Sequence, residues 1–281
     1  MDETPHRLPP SYEPVPPAPP WWKRFTGPIV AALAIGLKFL SSIKLFLLPA
    51  LKFLPILFKT GGSMILMMWI YSMQFGWVYA VGFVLLILVH ETGHLIAARW
   101  YGLKVGAPVF IPFMGAFIAL KEAPRNAWIE AVVGIGGPVA GTVGALVCHN
   151  IFTMTHEPFW LALAYTGYFL NLFNLMPVGF LDGGRIVNAV SPWLLLPGLG
   201  ILVWFMVEHG PNFLLILILI FALPRVWKLF WSRTPEEEFY YALPASKRII
   251  MGLCYFGLAA FLFYQMDNTM EELSSLGHWK H

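Results

Sequence analysis

Charge is what this sequence has least of. Only 12% of its 281 residues are Asp, Glu, Lys or Arg, against 58% hydrophobic, whereas soluble chains carry about a quarter charged residues. That excludes an ordinary soluble domain and reads as a polytopic membrane protein. Cysteine is nearly missing too: Cys148 and Cys254 each stand alone in an apolar segment, so there is no disulfide framework and both read as small buried thiols. A formal net charge of +3, from basic residues that sort by membrane side, gives no support for nucleic-acid binding. Aspartate is the scarcest acid, since Asp2, Asp182 and Asp267 are the three in the chain.

What is present divides into unlike materials. Residues 1–28 hold nine prolines and read as a disordered cytoplasmic tail ending at "WWKRF", a composition suited to a headgroup boundary. No cleavable signal peptide is expected before the membrane region. Residues 29–59 are apolar but carry Lys38, Lys44, Lys52 and Lys59 on roughly one third of a helical wheel, which suits an amphipathic interfacial helix as well as a spanning one. A membrane core over 60–190, additional helices over 191–266 and a tail over 267–281 complete the division. Helices are expected near 64–98, 131–152, 160–176, 193–207, 212–231 and 249–266, the fourth and fifth as two spans or one re-entrant pair. The stretch 232–248 reads as a linker, with Glu236–Glu238 a solvated face. The expected fold is an all-α polytopic membrane protein with about six transmembrane helices plus the N-terminal segment.

The loops at one end of these helices carry ten basic residues, from Arg99 to Arg248, while 153–159, 208–211 and 267–281 carry Lys280 alone. By the positive-inside rule the basic end faces the cytoplasm. The compactness of the chain favours a prokaryotic plasma membrane.

Against this background "VHETGHLIAAR", residues 89–99, stands out. Residues 64–89 contain no charged side chain, and then His90, Glu91 and His94 follow, about 13 Å below Arg99 at helical rise. Ionisable residues at such depth are costly and mark function. His90 and His94, four apart, share one helical face, the spacing that lets two imidazoles bind one zinc. Glu91 points about 100° away and can take a proton from water at the metal without becoming a ligand. A catalytic zinc needs a third protein ligand. Asp182, in "NLFNLMPVGFLDGGR", falls at the same membrane face as the histidines.

These two elements resemble the signatures of the site-2 protease family of intramembrane zinc metalloproteases: His-Glu-x-x-His at His90, Glu91 and His94, and Asn-x-x-Pro-x-x-x-x-Asp-Gly at Asn174, Pro177, Asp182 and Gly183. The resemblance implies one Zn2+ per chain held by His90, His94 and Asp182, with Glu91 as general base. It also implies a role for Asn174 near the developing oxyanion, and a transmembrane protein or peptide as substrate. Asn171 reads instead as structural, Pro177 as the end of its helix, and Gly183 with Gly184 as a turn that brings Asp182 back toward the metal. Residues 104–121, punctuated by Gly106, Pro108, Pro112 and Gly115, read as a β-hairpin or re-entrant loop whose free edge could pair with an unwound substrate. "GIGGPVAGTVGA", residues 134–145, supplies small residues for close helix packing, but Gly141 stands where the family has asparagine. His149, His156 and His209 lie toward the opposite face and read as non-ligands.

Other readings stay open at this point. A metal transporter would need no general base, and a non-catalytic membrane scaffold would need no metal. A second metalloprotease class with a glutamate ligand would draw on Glu208. Substrate identity, a homo-oligomer and a regulatory membrane partner are likewise open.

Overall fold

The computed structural model describes residue 38 and residues 60–112, 115–231 and 234–278. The proline-rich tail and the lysine-bearing segment expected over 29–59 thus lie outside the described residues, Lys38 excepted. From Thr60 onward the elements are α1 (Thr60–Phe75), α2 (Trp77–Trp100), β1 (Val105–Ile111), β2 (Gly115–Leu120), α3 (Ala127–Thr155), α4 (Pro158–Asn174) and α5 (Asp182–Val190). A short 3₁₀ turn, Pro192–Leu194, leads into α6 (Leu195–His209), followed by α7 (Phe213–Lys228), α8 (Pro235–Tyr241) and α9 (Ala245–His278).

The helix expected over 64–98 is two. Gly76 takes a φ of 80°, a left-handed value that favours glycine, and the backbone there leaves the helical path. α2 then runs 24 residues, and its buried positions Ala80, Val84, Ile87, Glu91, His94 and Ala98 recur every three or four residues. That spacing turns one stripe of the helix inward, and the same stripe carries the glutamate and the second histidine. Hydrocarbon faces outward, as at Val78, Leu85, Val89 and Ile96, all more than a third exposed.

Four described stretches are long and apolar enough to cross a membrane: Trp77–Trp100, Ala127–Thr155, Pro192–His209 and Ala245–Leu276. α4, with 17 residues, and α7, with 16, fall just short of the roughly 20 that span a bilayer. The chain is an integral membrane protein, mostly helical, with one β-hairpin among the described residues.

β1 and β2 form that hairpin, antiparallel with Pro108 opposite Ile118 and Phe110 opposite Ala116, and with an irregularity between Val105 and Pro108. The outer edge of β1 is engaged, since the Phe110 amide donates to Ser63 Oγ of α1 at 3.1 Å.

Two expectations need correction. Gly183 and Gly184 do not form a turn that carries Asp182 back; Asp182 begins α5. A Cβ on Gly183 would come 2.0 Å from the Leu175 carbonyl oxygen, so glycine lets the first turn of α5 lie against the end of α4. Nor is 232–248 a plain linker. Thr234 and Glu237 make a reciprocal capping box that starts α8, with Glu236–Glu238 in its first turn. Tyr240 of α8 donates to Glu130 Oε2 at 2.8 Å, and Asn188 of α5 donates to the same oxygen at 3.0 Å. Arg248 then donates to Val190 O at 3.2 Å and Tyr241 O at 2.6 Å, holding the end of α5 against the start of α9.

The two thiols are free, as expected, with Cys148 buried; Cys254 is exposed instead, on the outer side of α9.

Candidate metal centre

The site begins with how closely α2 and α3 approach. A Cβ on Gly93 would lie 2.1 Å from Gly136 O, so the two backbones touch where no side chain intervenes. One residue on, a Cβ at Gly137 would lie 2.2 Å from His94 Nε2. The expectation that "GIGGPVAG" serves close packing is met, and the packing occurs at the turn of α2 that carries His94.

α5 brings the third group. Asp182 Oδ2 lies 3.1 Å from His90 Nε2 and 3.2 Å from His94 Nε2, and the two Nε2 atoms are 3.1 Å apart. All three residues are buried. The loop before Asp182 is fixed by Arg225 of α7, whose Nη1 donates to Gly179 O at 2.8 Å, and by Val178 and Leu181, which pack among Leu202, Leu215 and Ile218 of α6 and α7. Tyr255 of α9 donates to Leu175 O at 2.6 Å, steadying the end of α4.

Each remaining ring nitrogen faces an oxygen acceptor. His94 Nδ1 faces the Val133 carbonyl at 2.7 Å, and His90 Nδ1 faces Asn171 Oδ1 at 2.8 Å. Both partners accept, so each Nδ1 carries its ring's proton and each Nε2 presents a lone pair in the neutral imidazole. Two lone pairs and a carboxylate oxygen converging within 3.2 Å repel one another unless a metal cation or a proton lies among them. Tetrahedral zinc with bonds of about 2.0–2.1 Å separates its ligand atoms by about 3.3 Å, close to what is seen. The group could hold a zinc ion, and each histidine has the outer partner that metal-bound histidines need.

Around the triangle is a cavity of about 660 Å³ lined by Glu91, Asn174 and Arg185, by apolar residues of α4, α6 and α7, and by Gly115, Ala116 and Ile118 of β2. Glu91 is buried beside His90 on the cavity wall. Asn174 is half-buried, and its Nδ2 donates to Leu170 O at 3.0 Å, which uses one of its two amide protons. Asn171 is the residue that the sequence reading missed: it contacts His90 directly. Two asparagines three apart lie on nearly the same helix face, so spacing alone does not say which one meets His90.

The residues read as non-ligands stay away from the triangle. His149 pairs with Tyr168 and Glu272, His209 stacks on Phe205, and Glu208 is exposed. Among the described residues His90, His94 and Asp182 form the one such group of three metal-ligating side chains.

A buried His-His-Asp centre in a helical membrane protein is the class of site that a zinc metallohydrolase uses. Comparison with known proteins narrows the class. Residues 78–156 and 149–195 match the family model described as Peptidase family M50, which bears out the resemblance read from the two motifs. "Zinc metalloprotease MJ0392" of Methanocaldococcus jannaschii is 34% identical over 122 residues, covering 40% of this chain and 34% of that protein. "Probable zinc metalloprotease EGY2, chloroplastic" of Arabidopsis thaliana is 26% identical over 156 residues, covering 39% of this chain and 27% of that protein. The aligned part thus spans about a third or less of the length of these curated relatives. The solved structure of the site-2 protease from Methanocaldococcus jannaschii superposes with a TM-score of 0.41 at 20% identity, over 61% of this chain and 88% of that one.

Proposed function

We propose that this chain is an intramembrane zinc metalloprotease that hydrolyses peptide bonds within or near the transmembrane segments of other membrane proteins. The observation that carries the reading is the convergence of His90 Nε2, His94 Nε2 and Asp182 Oδ2 within 3.2 Å, each Nδ1 being tied to an acceptor. In this reading those three residues hold the metal. Bound there, zinc supplies Lewis-acid polarisation of a carbonyl and eases loss of a proton from water.

The chain's own residues supply the rest. Glu91, next in sequence to one ligand and on the cavity wall, accepts the proton of the attacking water and returns it to the leaving amine. Asn174 offers its second amide proton to the oxygen on which charge develops. The apolar cavity keeps bulk water from the reacting atoms. An unwound substrate segment pairs with β2, because the outer edge of β1 is taken by Ser63 while β2 lines the cavity. The basic end, which carries the site, faces the cytoplasm, as the distribution of Lys and Arg supports; the membrane in this reading is a prokaryotic plasma membrane.

The test is cleavage of a panel of single-span membrane peptides by purified protein in detergent, comparing wild type with Glu91→Gln at equal zinc content. Products from wild type alone are expected. Equal cleavage by both would overturn the role given to Glu91, and zinc uptake into vesicles that survives Glu91→Gln without any cleavage would favour a transporter.

A further inference from the structure

We propose that Asn171 is the positioning residue that orients His90 toward the metal, and that position 141 must be glycine for Asn171 to do so. The inference rests on the zinc reading of His90, His94 and Asp182. It concerns how one of those ligands is aimed.

Asn171 lies on α4 one turn before its end and is 1% exposed. Its Nδ2 donates to Gly167 O at 2.7 Å, which fixes the other end of the amide as the oxygen. Oδ1 then faces His90 Nδ1 at 2.8 Å and accepts its proton. A buried carboxamide is stable only when both ends are satisfied, and here the same two bonds that satisfy it set the His90 tautomer and ring plane.

The histidines differ in how they are held. His94 leans on the Val133 carbonyl, a main-chain group that no substitution removes. His90 leans on a side chain from another helix. Its aim therefore depends on that side chain's position, and the position depends on α3. A Cβ on Gly141 would lie 2.2 Å from Asn171 Oδ1, 2.6 Å from Nδ2 and 2.7 Å from Cγ. The carboxamide fills the volume that any side chain at 141 would occupy. It cannot yield by swinging aside, since a swing breaks the bonds to Gly167 and His90 together. Even a methyl group at 141 must push Asn171 off His90.

The experiment uses the full chain purified in detergent and reads zinc affinity by chelator competition and the visible spectrum of the Co2+ form. Melting of the metal-free protein monitors folding. Asn171→Ala is expected to weaken zinc binding by about 10–100-fold and to alter the Co2+ spectrum. Asn171→Asp, as the neutral acid, donates its O–H to Gly167 O in place of Nδ2, keeps an oxygen toward Nδ1 and is expected to hold zinc within roughly threefold of wild type at a pH low enough to keep that acid protonated. Gly141→Ala should weaken zinc binding when Asn171 is present and add nothing in the Asn171→Ala background, a coupling that separate packing defects do not give. The proposal is overturned if Asn171→Ala or folded Gly141→Ala binds zinc within about twofold of wild type with an unchanged spectrum. It is also overturned if Asn171→Asp is as weak as Asn171→Ala at that pH. Wild type that binds no zinc would overturn the metal reading as well, which tells the two failures apart.

Discussion

Gly137→Ala isolates the metal site from the fold around it. The added Cβ would stand 2.2 Å from His94 Nε2, 2.4 Å from Cε1 and 2.7 Å from Cδ2. Ordinary carbon–nitrogen contact needs about 3.4 Å or more, so the ring must retreat by roughly 1 Å. The obstruction is the tip of a side chain and the helices need not part. Metal–ligand distances tolerate only about 0.2 Å, which makes a 1 Å retreat the loss of one ligand in three. Misplacements of that size cost about 100-fold or more in function. The stability cost is smaller, about 0.5–1.5 kcal/mol for the strained bond from Nδ1 to Val133 O.

The assay measures zinc stoichiometry and affinity beside the melting temperature of metal-free protein in the same detergent. Gly144→Ala, on the same helix as Gly137, is the control: its Cβ would meet the apolar side chains of Leu86 and Val89 at 3.3 Å, a tight contact that a few tenths of an ångström relieve. Zinc affinity should fall at least 100-fold in Gly137→Ala and by less than about threefold in Gly144→Ala, both remaining folded. Unchanged zinc binding in folded Gly137→Ala would refute the argument, because the ring could then not be held where the triangle requires it.

The opposite failure is expected of Gly93→Ala, whose Cβ would meet the Gly136 carbonyl oxygen at 2.1 Å; backbone cannot swing away, so α2 and α3 must separate at a cost of about 1–3 kcal/mol or more, seen as a lower melting temperature before any metal is added. Burial and the charge of Glu130 both hold the Tyr240 phenol well above its usual range, so the folded chain keeps a proton that the unfolded chain loses above about pH 10. Its share of stability is full below that pH and is lost as pH rises further, so the melting-temperature gap between wild type and Tyr240→Phe should narrow above about pH 10; a constant gap would refute the link.

How much of this was legible depended on whether the signal was local. The His90, Glu91, His94 face followed from helical spacing, the hairpin from Gly and Pro between apolar residues, and the wrong-side position of His149 and His209 from the charge count. The break at Gly76 was not legible, since one glycine in an uninterrupted apolar run leaves periodicity unchanged. α5 was hidden because Gly183-Gly184 carries the local signal of a turn. What decides for helix is the carbonyl of Leu175, a contact made only after α4 and α5 dock. α8 was different: Thr234, Pro235 and Glu237 spell a helix start in sequence, while Glu236–Glu238 equally carries the composition of a solvated linker.

Asn171 shows why the site's outer partners were the hardest part to read. Along α3 the glycines at 136, 137 and 141 mark one continuous face, and each is the counterpart of something on another helix: the backbone of α2 at Gly93, the ring of His94, the carboxamide of Asn171. A glycine in sequence states only that a side chain is missing. Which group takes the space is settled by the crossing of α2, α3 and α4, so the information that aims the two histidines is held in α3 as absences. At Gly141 the volume next to α3 is filled from α4, by the carboxamide of Asn171.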